Sequence, residues 1–247
     1  MTTPTRITSG FTQAAKYQPL GDIGIPDPFF YATFEDDFIP YNAALYTVTA
    51  ASGSVAATTA NGSDGRILLT TGATAGSFAE MQLTSAAFQY TSGKKLAFLC
   101  RLQVANITTS AFIAGLIATS ATPFTSIADG IYISKSAAST NVVVTAVTGG
   151  TTIGTATLSG LLTNNTDIDL AFEVDRSGNI KVWAGANLEG YKRENTASLG
   201  PNIAINRTSL TGSITSVLLN PTIAVSNGAT AAAMTGVADF LFAAQER

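Results

Sequence analysis

Histidine does not occur in the 247-residue chain, which removes the commonest general base, the usual serine and cysteine triads and the commonest metal ligand. What remains for chemistry is carboxylates, one thiol and a few aromatic rings. Glu35-Asp36-Asp37 is dense enough in oxygen to suggest Ca²⁺, which takes six to eight ligands from a cage. Consecutive strand residues point to opposite faces, however, so a strand end meeting a loop is the simpler reading. Cys100 lies in an alternating apolar run and reads as a small buried hydrophobe, and neither a disulfide framework nor a metal cluster can be built from it. Trp183, with Tyr132 and Tyr191, could supply a stacking platform for sugar rings, although strand aromatics are more often core or interface. Gly149-Gly150 and Gly160 stand between β runs with no helix after them, which makes them turns rather than a phosphate-binding loop.

Glu173-Val174-Asp175 resembles the Glu-x-Asp-x-x-Glu strand of sandwich-fold β-glucanases, in which carboxylates on one strand face flank the scissile bond. The position of the second glutamate is held by Gly178, so the acid–base partner is missing. Glu173 and Asp175 are then expected on the solvent face of a strand entering a turn. No catalytic residue, cofactor or metal ligand is expected, and the chain reads as a non-enzyme.

The elements that must position these residues follow a period of two from Phe29 onward. In Lys94 to Val104, Leu96, Phe98, Cys100, Leu102 and Val104 share one face, and Lys95, Arg101 and Gln103 the other. Thr166 to Ala184 reads as a hairpin: Ile168, Leu170, Phe172 and Val174 alternate with acidic residues, Arg176-Ser177-Gly178-Asn179 turns, and Ile180 and Val182 return. Further strands are expected at Tyr31–Phe38, Arg66–Thr71, Phe78–Leu83, Phe112–Ala118, Gly130–Ser134, Asn141–Val147, Val217–Val225 and Val237–Ala244. Many short antiparallel strands with regular turns predict an all-β, two-sheet jelly-roll sandwich over residues 29–247.

Residues 1–28 differ. Pro4, Pro19, Pro26 and Pro28 alternate with glycines, which excludes a long helix or a central strand and leaves an extended arm. Its Phe11, Tyr17, Leu20, Ile23 and Ile25 are too apolar for a solvated linker, and they are the expected contacts to a partner or a neighbouring copy.

Charged residues make up 12% of the chain, about half the usual share, so the surface is unusually neutral and suited to assembly. A closed homo-oligomer, a trimer, is expected. The 13 basic and 16 acidic residues form no basic stripe for nucleic acid. Met1 to Gly10 has no apolar export signal and the apolar runs are too short for a membrane span.

Ser9-Gly10 through Leu20-Gly21-Asp22-Ile23-Gly24-Ile25-Pro26-Asp27-Pro28, with Tyr31, Phe34, Asp36, Asp37 and Phe38 after it, resembles the opening of a set of tailed-phage structural proteins. Gly93-Lys94-Lys95-Leu96 and the ending Ala238 to Arg247 resemble theirs as well, and Asp175-x-x-Gly178-x-Ile180-x-Val182-Trp183 is similar to a hairpin of concanavalin-like jelly rolls. The resemblance implies a virion protein on the capsid exterior, a decoration or cement protein bound to the phage major capsid protein. The competing expectation is a carbohydrate-binding module or adhesin on the same sandwich, recognising a host surface glycan.

Overall fold

The alternation of apolar and polar residues builds two antiparallel sheets that close on one core. The computed structural model describes residues 30–39, 41–51, 55–59, 65–185 and 202–247. The arm residues Phe11, Tyr17, Leu20, Ile23 and Ile25, and Tyr191, lie outside the described residues.

The eight-stranded sheet comprises β1 (Tyr31–Asp36), β3 (Val55–Thr59), β4 (Ile67–Thr70), β6 (Leu96–Val104), β11 (Ile168–Val174), β12 (Ile180–Gly185), β13 (Ile203–Ile205) and β15 (Thr235–Glu246). Its order is β13-β12-β11-β6-β15-β4-β3, with β1 also paired to β15. The seven-stranded sheet comprises β2 (Tyr46–Ala50), β5 (Phe78–Leu83), β7 (Ala111–Ile117), β8 (Gly130–Lys135), β9 (Val142–Thr148), β10 (Thr151–Leu158) and β14 (Asn220–Ser226). Its order is β10-β9-β8-β7-β14-β5-β2.

The inner face of β6 carries Leu96, Phe98, Cys100 and Leu102, all fully buried. Phe98 stands opposite Phe172 of β11, and the rings stack with centroids 5.5 Å apart. Phe112, Leu116, Ile131, Ile133, Met81 and Ile223 meet them from the other sheet. A bulge between Ala238 and Phe240 lets β15 keep Ala238 and Leu241 in the core while Asp239 turns toward Arg101. At the β9–β10 turn, Gly149 and Gly150 take φ of 57° and 75°, the paired left-handed conformation a two-residue hairpin demands.

The structure departs from the sequence expectation at the edges. β2, β3, β10 and β13 are absent from the expected strands, and each ends a sheet. An edge strand buries less, so Thr and Ala replace the apolar alternation that marks an interior strand. The strand expected at Val217 begins at Asn220, and Val217 and Leu218 stay exposed. The expected solvent face of β11 is corrected too: Glu173 is 2% exposed, against Lys95 Nζ at 3.7 Å. That face is not solvated because Ala97, Ala171, Trp183, Phe242 and Ala244 form a second buried apolar cluster on it.

Truncating Phe172 to Ala removes the ring from a fully packed site and should cost about 3–5 kcal/mol. Urea unfolding of the Phe172→Ala variant measures this, and a loss under about 1 kcal/mol contradicts the β6–β11 register.

Candidate functional site

Each strand of the seven-stranded sheet has a second set of side chains facing away from the core, and the register aligns them into rows. Thr47 stands opposite Gln82, Gln82 opposite Thr222, and Thr222 opposite Gly115. Gly115 stands opposite Tyr132, Tyr132 opposite Thr145, and Thr145 opposite Thr155. One line of hydroxyl and amide groups therefore crosses all seven strands, broken only at Gly115. A Cβ there would sit 2.5 Å from Tyr132 Cα, so the glycine is required by close approach. The place of its missing side chain is taken by Tyr132 itself, whose Cβ would lie 2.7 Å from such an atom. Tyr132 is half-buried; burial raises its pKa, partly offset by a hydrogen bond with Thr145.

The connection between β7 and β8, residues 118–129, folds back over this face instead of crossing the sandwich end. Its stem is fixed by Ala118 N donating to Asp129 O and Gly150 N donating to Ala128 O. Asn220 Nδ2 donates to Thr119 Oγ1 at 2.9 Å, Ser120 N to Gln82 Oε1 at 3.4 Å, and Phe124 packs on Phe78 with centroids 6.0 Å apart. Between this loop and the sheet lies a cleft of about 590 Å³. Tyr132, Val147 and Thr152 supply its floor, and Ser120, Thr122, Thr125 and Ser126 turn hydroxyl-bearing residues into it from the loop. Its lining contains no charged side chain. Asp129 adjoins it in sequence but accepts from Gly149 N at 3.1 Å.

The other candidates fall elsewhere. Glu173 is on the outer face of the opposite sheet, so the thickness of the sandwich separates it from the cleft. Asp175 organises the β11–β12 turn, accepting from Ser177 N and Asn179 N through Oδ1, and Gly178 takes the φ of 83° that the turn needs. Asp36 ends β1 and accepts from Phe38 N at 2.7 Å and from the Tyr46 hydroxyl at 2.6 Å. Asp37 accepts from Ile39 N, so the triplet serves the chain turn rather than converging on one ion. Trp183 is 5% exposed within the second apolar cluster and offers no stacking surface. Cys100 is fully buried, and burial drives its thiol pKa up, away from reactivity. Of the two aromatic candidates among the described residues, Tyr132 is placed in the cleft and Trp183 is not. The hydroxyl row was not anticipated, because threonines on separate strands become neighbours only through register.

No family model matches the chain, and no curated protein matches it in sequence. Solved structures do. An endo-1,3-β-glucanase from Streptomyces sioyaensis superposes with a TM-score of 0.60 at 13% identity, covering 87% of this chain and 96% of that one. Arcelin-5, a lectin-like defence protein from Phaseolus vulgaris, gives 0.59 at 10% identity, covering 88% and 100%. The fold is the concanavalin-like sandwich of lectins and glucanases. The carbohydrate recognition domain of Emp47p gives 0.57 at 11% identity, covering 88% and 97%. The concanavalin-like jelly roll expected from the β11–β12 hairpin is therefore present, while no phage capsid protein appears among these named likenesses.

The loop's tip is held by neutral contacts, chief among them the Phe78–Phe124 pair, worth about 0.5–1.5 kcal/mol beyond its burial. Phe124→Ala should raise amide exchange across residues 119–128 by about two- to tenfold and leave the β6 and β11 amides unchanged. Equal exchange in variant and parent would show that Phe124 does not hold the loop.

Proposed function

We propose that the protein is a non-enzymatic saccharide-binding sandwich that seats a neutral glycan in the cleft over Tyr132. The observation that carries this reading is the uncharged cleft lining, in which half-buried Tyr132 is surrounded by the hydroxyl-bearing Ser120, Thr122, Thr125, Ser126 and Thr152. A sugar ring presents C–H groups on one face and hydroxyls around its rim, and it is recognised by an aromatic surface with uncharged donors and acceptors at its edge. Tyr132 supplies the surface; Ser120, Thr122, Ser126 and Thr152 supply the edge. The lectin-like protein and carbohydrate recognition domain that share the fold support the same reading.

Hydrolysis of a glycosidic bond ordinarily needs two carboxyl groups about 5–10 Å apart, one on either side of the bond. The cleft lining carries none, and Glu173 belongs to the other sheet. Binding without cleavage is the chemistry this lining supports.

A second reading, a virion decoration protein, is favoured by an apolar rim. Phe30, Leu45, Val217 and Leu218 are 65%, 40%, 47% and 50% exposed. Hydrogen bonds tie their segments together along one end of the sandwich: Arg247 N to Phe30 O, Gln89 N to Gln245 Oε1, Ala87 N to Leu219 O and Thr84 N to Leu45 O. Such a rim, which Phe30 joins in sequence to residues 1–29, suits attachment to a shell, and a closed trimer would repeat it. The readings are compatible, since a shell-bound protein can present a glycan site outward.

Titration calorimetry with neutral oligosaccharides should show binding that weakens about tenfold or more in Tyr132→Ala, with no reducing ends released on prolonged incubation. Unchanged affinity in the variant, or steady release of sugar, overturns the first reading. For the second, protein lacking residues 1–25 but still folded should lose most of its occupancy on undecorated capsids, and full occupancy would remove the attachment role from that segment.

A further inference from the structure

The loop that walls the cleft also seals a carboxylate. Glu80 lies on β5 between Phe78 and Gln82 on the same outward face. Its side chain has no solvent exposure, and neither carboxyl oxygen has a hydrogen-bond partner. Its register neighbours are Thr49 on β2 and Ala224 on β14, with Ile113 of β7 beyond Ala224. Residues 118–129 hold both flanking positions, Ser120 bonding to Gln82 and Phe124 packing on Phe78. The stretch from Ser120 to Phe124 therefore crosses the face at Glu80.

No charge answers it from any of these elements. β5, β7 and β14 carry no other titratable side chain. On β2, Tyr46 points into the core and donates to Asp36. In the loop, Asp129 is held at the stem by Gly149 N. A buried carboxyl with neither cation nor donor is tolerable when protonated and costly when ionised.

We propose that Glu80 makes residues 118–129 a pH-operated cover, closed over β5 while the carboxyl is protonated and lifted when it ionises, so that the cleft keeps its loop wall only in the closed state. The consequence for ligand binding rests on the saccharide reading; the movement itself does not. Burial alone pushes the Glu80 pKa up from 4.5 to about 7. Below 4.5 both states are protonated and closure has its full advantage. Between 4.5 and about 7 the closed state retains a proton that the open state has released, so rising pH erodes closure. Above that range Glu80 is ionised in both states and the balance levels off. The whole change is roughly three-hundredfold in the closed-to-open ratio. The loop yields before the strand, because β5 is laddered to β2 and β14 while the loop tip has only neutral side-chain contacts.

The test is amide hydrogen exchange on the full chain at pH 5 and pH 8, expressed as protection factors corrected for the intrinsic rate. Protection of residues 119–128 should fall steeply from pH 5 to pH 8, by up to about a hundredfold, while β6 and β11 amides hold steady. Glu80→Gln should keep the loop equally protected at both pH values. If that variant does not fold, Glu80→Met, which is likewise uncharged and of similar length, replaces it and should also keep the loop equally protected at both pH values. Equal loop protection at pH 5 and pH 8 in the parent, or an undiminished fall in either variant, overturns the cover. Calorimetry with neutral oligosaccharide at both pH values separates the two claims. A pH-dependent loop with no binding at either pH contradicts the saccharide reading alone, and binding over a pH-indifferent loop contradicts the cover alone.

Discussion

The constraint on which the arrangement depends is that the middle of the seven-stranded sheet is buried on both faces while one of those faces is polar. Gln82, Asn220 and Thr222 are at most 3% exposed on the side away from the core. Buried polar groups must find hydrogen bonds or destabilise the fold by about 1–3 kcal/mol each. Gln82 and Thr222 bond to one another at 2.8 Å, and the β7–β8 connection supplies a donor to Gln82 through Ser120 and an acceptor to Asn220 through Thr119. That requirement fixes where the loop lies, and the loop's position in turn defines the cleft. On this face the arrangement leaves Asn220 Oδ1 and both carboxyl oxygens of Glu80 without a hydrogen bond.

The opposite sheet meets the same constraint with charge. Arg101 reaches Asp169 at 2.6 Å and the bulged Asp239 at 3.4 Å, and Arg66 reaches Asp167 at 2.8 Å. These partly buried pairs do not build a reaction site, because each carboxylate is committed to a guanidinium. They act on register instead: the bulge at Ala238–Phe240 turns Asp239 toward Arg101. Arg176 and Glu246 form a further pair whose arginine is 61% exposed, and pairs of that kind add little stability. The chain thus uses a neutral network where it faces the cleft and an ionic one where it does not.

The sequence made the interior strands legible because burial on the core face leaves an apolar residue at every second position. β5 was read with its observed bounds, and β6 and the β11–β12 hairpin with the correct inward residues. The edge strands were not legible, since Thr151–Leu158 or Tyr46–Ala50 can be half solvated without penalty and carry Thr and Ala instead. Glu173 was misplaced for a related reason: alternation shows which residues share a face but not whether the second face is also buried. Tyr132 was singled out by type, yet its partners Thr145, Thr222 and Gln82 lie on three other strands, and a single sequence does not state a register. The concanavalin-like fold was legible from one hairpin; the cleft was not.

The central claim is that the cleft over Tyr132, and not the outer face of the eight-stranded sheet, meets a neutral glycan. Amide chemical-shift mapping of the labelled protein during titration with neutral oligosaccharides tests it most directly. Saturable shifts confined to residues 119–128, Tyr132 and Thr145 to Thr152 are the predicted result; shifts centred on β11 and β12, or none at millimolar sugar, would contradict it.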